Sequence, residues 1–133
     1  MNIYKLYKLD GIITENKPGE LFNIDINNIL DNELSFNIKH TFYINNLNSN
    51  DYRGNHANLN AKEILICLSG TFNIKINNKC KEIELCINKN DMLYIDKNIW
   101  LELYNFKECV ILAFVDFDET NKKVYNKLEY LNS

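Results

Sequence analysis

Apolar and polar residues alternate with a period close to two along most of the chain, the signature of strands whose two faces meet different surroundings. The alternation opens in IYKLYKL and returns in SFNIKHTFYI (Ser35–Ile44), where Phe36, Ile38, His40, Phe42 and Ile44 share one parity. EILICL (Glu63–Leu68) is apolar on both parities, as expected of a strand covered on both faces. SGTFNIKINNKCKEIELCI then reads as a hairpin with its turn at Asn77-Asn78, because asparagine tolerates the left-handed conformation. DMLYI, IWLELYNF and CVILAFV follow as further short strands, and Pro18 in NKPGEL marks a turn near the start. Only the tail, DETNKKVYNKLEYL, changes period. Val124, Leu128 and Leu131 fall at i, i+4 and i+7 and predict a helix, with Asp118 and Glu119 near its positive end. Short strands with turns between them and one terminal helix predict an all-β sandwich or barrel. There is no internal repeat, linker or low-complexity block, so residues 1–133 are expected to form a single domain.

Composition narrows the function classes. The formal net charge of -3 leaves no basic face for nucleic acid. No apolar run approaches the roughly 20 residues that span a bilayer, and the first residues alternate rather than form the apolar block of a signal peptide. The expectation is a soluble cytoplasmic protein. The four cysteines, Cys67, Cys80, Cys86 and Cys109, include no C-x-x-C pair. That spacing speaks against structural zinc and for buried free thiols acting as small hydrophobes.

The stretch DYRGNHANLNAKEILICLSG (Asp51–Gly70) concentrates the candidate chemistry. In an extended segment His56 and Asn58 point to the same side, with Arg53 and Gly54 just ahead. A metal site would need a fuller donor set than His56, Glu63 and His40, because the amide of Asn58 is a poor ligand beside imidazole and carboxylate. No histidine follows residue 56. The residues alone therefore leave two readings of His56: a general base in a metal-free site, or a structural histidine. From the residues alone Tyr43, Tyr94 and Trp100 read as core or interface aromatics, and Arg53 as an anion-binding residue beside His56 or a surface partner of Asp51.

Several separated motifs, in order, resemble one family. RGNHAN…KEILICLSG is similar to the R-G-x-H-A-H…Q-x-L-x-C-L-x-G segment of the WxcM-like cupins, the nucleotide-linked 6-deoxysugar 3,4-ketoisomerases. FNIKHTFYI resembles that family's F-x-I-K-R-V-Y-Y-I strand. DMLYIDKNIWLELYNF resembles its L-Y-[IV]-x-P-x-x-W-H-E-M-x-x-F segment, and DFDETNKKVY its acidic tail. The resemblance implies a cupin fold, the double-stranded β-helix or jelly-roll barrel, here with a short C-terminal helix. It implies a homodimer with exchanged N-terminal strands and conversion of dTDP-4-keto-6-deoxyglucose to the 3-keto sugar through an enediol. It implies neither metal nor cofactor. By the same resemblance His56 and Asn58 occupy the catalytic positions, and Arg53, Tyr43, His40, Glu63, Tyr94 and Trp100 would hold the substrate.

Five positions depart from the family pattern. Asn58 replaces its second histidine, His40 an arginine, Leu101 the histidine after the tryptophan, Glu63 the glutamine before the apolar run, and Asp96-Lys97-Asn98 a proline turn. An amide binds a sugar oxygen but carries no proton. The departures therefore set an isomerase with rearranged proton transfer beside a nucleotide-sugar-binding cupin that has lost or altered turnover.

Overall fold

A computed structural model of the chain describes residues 3–133. Eight strands and two short helices follow one another in the order β1 (Tyr4–Lys8), α1 (Ile26–Ile29), β2 (His40–Ile44), β3 (Tyr52–Asn58), β4 (Ala61–Asn77), β5 (Glu82–Asn88), β6 (Asp91–Ile95), β7 (Ile99–Phe117), β8 (Lys123–Val124) and α2 (Lys127–Leu131). Two long antiparallel strands, β4 of 17 residues and β7 of 19, run beside each other for almost their whole length. Their register shifts between Cys67 and Asn73, where Gly70, Asn105 and Glu108 have positive φ. A side chain on Gly70 would strike the carbonyl oxygens of Lys107 and Glu108, so only glycine fits this crossing.

On either side of these bulges the pair recruits different neighbours. One half runs β1-β6-β4-β7-β2 and the other β5-β4-β7-β3-β8. Leu65, Cys67, Leu93, Ile111 and Ala113 from the first half share one core with Phe72, Ile74, Ile76, Leu101 and Leu103 from the second. The halves therefore pack face to face. The result is an all-β, cupin-like jelly roll with a short C-terminal helix, its hydrogen bonding not closed into a ring.

The alternation of the strands accounts for three apolar layers. Leu65 and Cys67 of EILICL enter the central core, while Ile64 and Ile66 face outward and join Met92, Tyr94, Leu9, Ile26, Leu30 and Phe36 under the segment that carries α1. The two-sided apolarity of this run thus has the cause the sequence predicts. On the outer face of the other half, Ala57 and Trp100 are covered by Tyr130 of α2. Cys67 and Cys109 are buried free thiols as expected, but Cys80 and Cys86 are exposed, because Cys80 lies in the Asn78 turn and Cys86 shares the outward parity of β5 with Glu82 and Glu84.

Four local expectations are corrected. The strand expected over Ser35–Ile44 begins only at His40, because Phe36 packs into the outer layer and its backbone is held by the Asn27 side chain. The hairpin turn takes its positive φ at Lys79 instead of Asn77 or Asn78. The asparagines act as acceptors there: Asn77 Oδ1 takes the Lys79 N–H, and Asn78 Oδ1 takes those of Cys80 and Lys81. IWLELYNF and CVILAFV are one strand, bent at its bulges. The helix expected from Asp118 is confined to Lys127–Leu131, capped by the Asn126 side chain, with Lys123–Val124 paired to β3. Its buried residue is Tyr130, while Leu128 is exposed. Asp118 instead accepts from the N–H and hydroxyl of Thr120 in a turn.

Candidate active site

Cross-strand partners share a face of the sheet, so the register shows which side chains meet. His56 lies opposite Leu101 and Asn58 opposite Ile99, both partners inward-facing core residues. Glu63 and His40 both lie opposite Val115. These inward positions converge at one end of the jelly roll. A cleft of about 200 Å³ there is lined by His40, Phe42, His56, Asn58, Glu63, Val115, Phe117, Asn121 and Lys123. His56 and Asn58 therefore share a face, and His40 and Glu63 join them.

A local irregularity aims the imidazole. The pairing of β3 with β7 shifts between Gly54 and His56, and Gly54 and Asn55 both have positive φ. A side chain on Gly54 would come within 3.0 Å of the Leu101 carbonyl oxygen, which favours glycine at this bulge. The turned backbone brings the Gly54 carbonyl 3.0 Å from His56 Nδ1. A carbonyl only accepts, so the proton sits on Nδ1 and the lone pair on Nε2 faces the cleft.

Nε2 meets a small polar network. It lies 3.6 Å from Glu63 Oε1 and 3.4 Å from Asn58 Nδ2. The Asn58 amide donates to the same Glu63 oxygen, and its own Oδ1 accepts from Asn121 Nδ2 at 3.3 Å. Both Asn58 and Glu63 are buried. The Glu63 carboxylate raises the His56 pKa above the ordinary value, burial works against it, the Gly54 bond adds to the rise, and Lys123 opposes it by repulsion. The Tyr125 ring lies 6.2 Å from the imidazole. In this arrangement His56 can take a proton at Nε2, Glu63 can hold the resulting charge, and Lys123 and Asn121 can meet polar oxygens of a bound molecule.

The other residues singled out in the sequence lie elsewhere. Tyr43 follows Phe42 on the opposite face of β2 and is exposed. Tyr94 lies opposite Ile64 in the outer apolar layer, where burial pushes its hydroxyl up to about 12. Trp100 packs on Tyr130 outside the cleft and donates its Nε1–H to Glu102 at 3.1 Å. Arg53, opposite Leu103, is exposed and makes no salt bridge among the described residues, so it does not pair with Asp51. Sequence reasoning missed Asn121, Lys123 and Tyr125, because a helical reading of the tail hides that Lys123 lies in β8 and that Asn121 and Tyr125 flank it outside any helix. It also missed Phe42, although the parity shared with His40 was a usable signal. Among the described residues no three histidine, cysteine or carboxylate side chains gather at ligand spacing.

Comparison with known proteins decides the family. The model described as FdtA, WxcM-like, C-terminal, matches residues 2–133. The chain belongs to the WxcM-like family. Among relatives of this WxcM-like protein is the TDP-4-oxo-6-deoxy-alpha-D-glucose-3,4-oxoisomerase of Aneurinibacillus thermoaerophilus, 26% identical over 92 residues, a match spanning 66% of each chain. The WlaRB TDP-quinovose 3,4-ketoisomerase of Campylobacter jejuni superposes with a TM-score of 0.83 at 30% identity, with 100% of both chains covered. The 3,4-ketoisomerase QdtA of Thermoanaerobacterium thermosaccharolyticum superposes with a TM-score of 0.81 at 26% identity, covering 99% of this chain and 94% of its own. That structure is a histidine-to-asparagine variant in complex with TDP-4-keto-6-deoxyglucose. No helix among the described residues is long and apolar enough to cross a membrane.

Proposed function

We propose that this WxcM-like protein is a sugar-nucleotide 3,4-ketoisomerase that converts dTDP-4-keto-6-deoxyglucose to the 3-keto-6-deoxy sugar. The observation that carries the reading is His56: its Nδ1 is tied to the Gly54 carbonyl and its Nε2 is turned into a polar cleft beside a buried carboxylate. The C4 carbonyl of such a sugar acidifies the proton on C3. A base of near-neutral pKa removes it, and donors at the cleft stabilise the enediolate. Return of a proton to C4 leaves the carbonyl at C3. The names of the relatives support this substrate class. The donor set supports a reaction without bound metal, since an amide and a single carboxylate flank Nε2. By the same resemblance the protein is a cytoplasmic homodimer with exchanged N-terminal strands. Its product would feed an amino-sugar branch of surface glycan synthesis.

The test is turnover of the thymidine-diphosphate 4-keto sugar followed by NMR, with solvent deuterium to report exchange at C3. Wild-type protein is expected to form the 3-keto sugar, and His56→Ala to lose both exchange and product by about 100-fold or more. Asn58 favours a second reading, a binding cupin without turnover, because an amide stands where the family motif has an imidazole. Tight binding of the nucleotide sugar with no exchange at C3 would select that reading and end the first.

A further inference from the structure

We propose that Glu63 is the second proton-carrying group of this site, moving a proton between the two sugar oxygens while His56 works at carbon. The inference rests on the isomerase reading and deepens it.

Three observations converge. Glu63 is a buried carboxylate without a lysine or arginine partner: among the described residues its one ion-pair contact is His56, at 3.6 Å. Asp91, the other buried carboxylate, is matched by Lys8 at 2.9 Å and by the Asn88 N–H at 2.8 Å. A buried carboxylate without a fixed cation costs stability, and such groups concentrate where chemistry uses them. Second, the Asn58 amide is fixed from both ends. Asn121 donates to its oxygen, and its nitrogen donates to Glu63, so the amide is held as a donor toward the carboxylate. Third, the family motif sets an ionisable imidazole at the position of Asn58 and a neutral amide at that of Glu63. This chain has the amide at 58 and the ionisable group at 63, and the two side chains touch. The pair keeps one amide and one proton carrier and exchanges their places.

The proton inventory then closes. Nε2 of neutral His56 takes the proton from C3. The C3–H electron pair becomes the C3=C4 bond, and the C4=O π pair moves onto O4. The Glu63 carboxylate accepts the O3 proton and delivers it to O4. The O3 electron pair forms the C3 carbonyl, and the C3=C4 pair takes the proton from His56 at C4. Glu63 returns as carboxylate and His56 as neutral imidazole, with no oxidant or reductant consumed. Asn58 carries no proton in this sequence; it orients the carboxylate.

The experiment compares wild type, Glu63→Gln and the double substitution Asn58→His with Glu63→Gln, each checked for native circular dichroism. Turnover and C3 deuterium exchange are measured on the thymidine-diphosphate 4-keto sugar. In Glu63→Gln, exchange is expected to stay within about fivefold of wild type, while isomerisation falls by about 100-fold, the usual weight of one general acid–base group. The double substitution restores the family arrangement and is expected to recover at least about tenfold of the lost turnover. Glu63→Gln turning over within about threefold of wild type would overturn the role of Glu63 and leave the isomerase standing. So would equal loss of exchange and turnover, which would make Glu63 a positioning residue for His56. Wild type with neither exchange nor turnover would overturn the isomerase reading and this inference with it.

Discussion

Glu63 on β4 and Lys123 on β8 bear on the titration of His56, and His40 on β2 lines the same cleft. The His56 pKa is raised chiefly by the Glu63 carboxylate, against the cost of burial and with a smaller opposing push from Lys123. In the proposed reaction the neutral imidazole is the base, so kcat/KM should rise with pH through this elevated pKa, giving an acid limb above the ordinary value of about 6.5. Glu63→Gln removes the main cause and should move the limb down. The His56 ring-proton titration followed by NMR checks both shifts, and a midpoint at or below the ordinary value in wild type would refute the dyad. The linked effect on folding has the opposite slope. A raised folded-state pKa contributes stability that is complete below about pH 6.5 and is lost as pH climbs through the folded value. Of this site, His56, Asn58, Glu63 and His40 were legible from motif and parity. The hydrogen bond from Asn58 to Glu63 was not, because it joins residues at the facing ends of two strands whose register no local pattern specifies.

The elements that shape the cleft differ in how openly the sequence declares them. β4 is announced by its two-sided apolarity, and β6 by a fully buried run. The C-terminal segment misleads: Val124, Leu128 and Leu131 have helical spacing, yet Val124 belongs to β8, and a buried tyrosine outweighs the two leucines. Tyr130 is the reason. Its ring lies 5.9 Å from that of Trp100, and its hydroxyl is within 2.8 Å of the carbonyl oxygens of Asn77 and Asn98. Lys127 adds contacts of 3.0 Å to both Glu82 and Glu102. This anchorage holds β8 on β3, and with it Lys123 at the cleft. Tyr130→Ala should therefore destabilise the fold by about 3–5 kcal/mol, as large-to-small changes in a core do, measured by urea unfolding. Lys127→Ala, losing half-exposed ion pairs, should cost about 1 kcal/mol or less. The parity rule also explains the three aromatics that stand apart from the cleft. Tyr43, Tyr94 and Trp100 each sit one residue out of phase with an inward neighbour, a fact readable only once the inward face is known.

At the scale of the molecule, the all-β class follows from period-two alternation, and the jelly roll from the order of motifs. The pairing scheme was less legible, because β7 was expected as two strands; its bulges at Asn105 and Glu108 interrupt the pattern without ending the strand. β1 lies on β6 of its own chain. For the proposed homodimer with exchanged N-terminal strands, light scattering of the purified protein should give a mass of two chains at micromolar concentration. A monomer at all concentrations would sink that proposal.

β7 has one further consequence. It pairs with β4 along nearly all its length and with β3 and β2 at its two ends, so it joins residues far apart in the chain, His40 to Val115 among them. Each such pairing requires closing a long loop before any contact compensates the lost chain entropy, which places folding in the slow, millisecond-to-second class of β-rich topologies. The cleft lies where two remote closures meet, β2 on β7 and β8 on β3. A partly folded chain therefore presents no partial site, and a bound nucleotide sugar would act on the finished state alone, shifting the folding equilibrium by mass action.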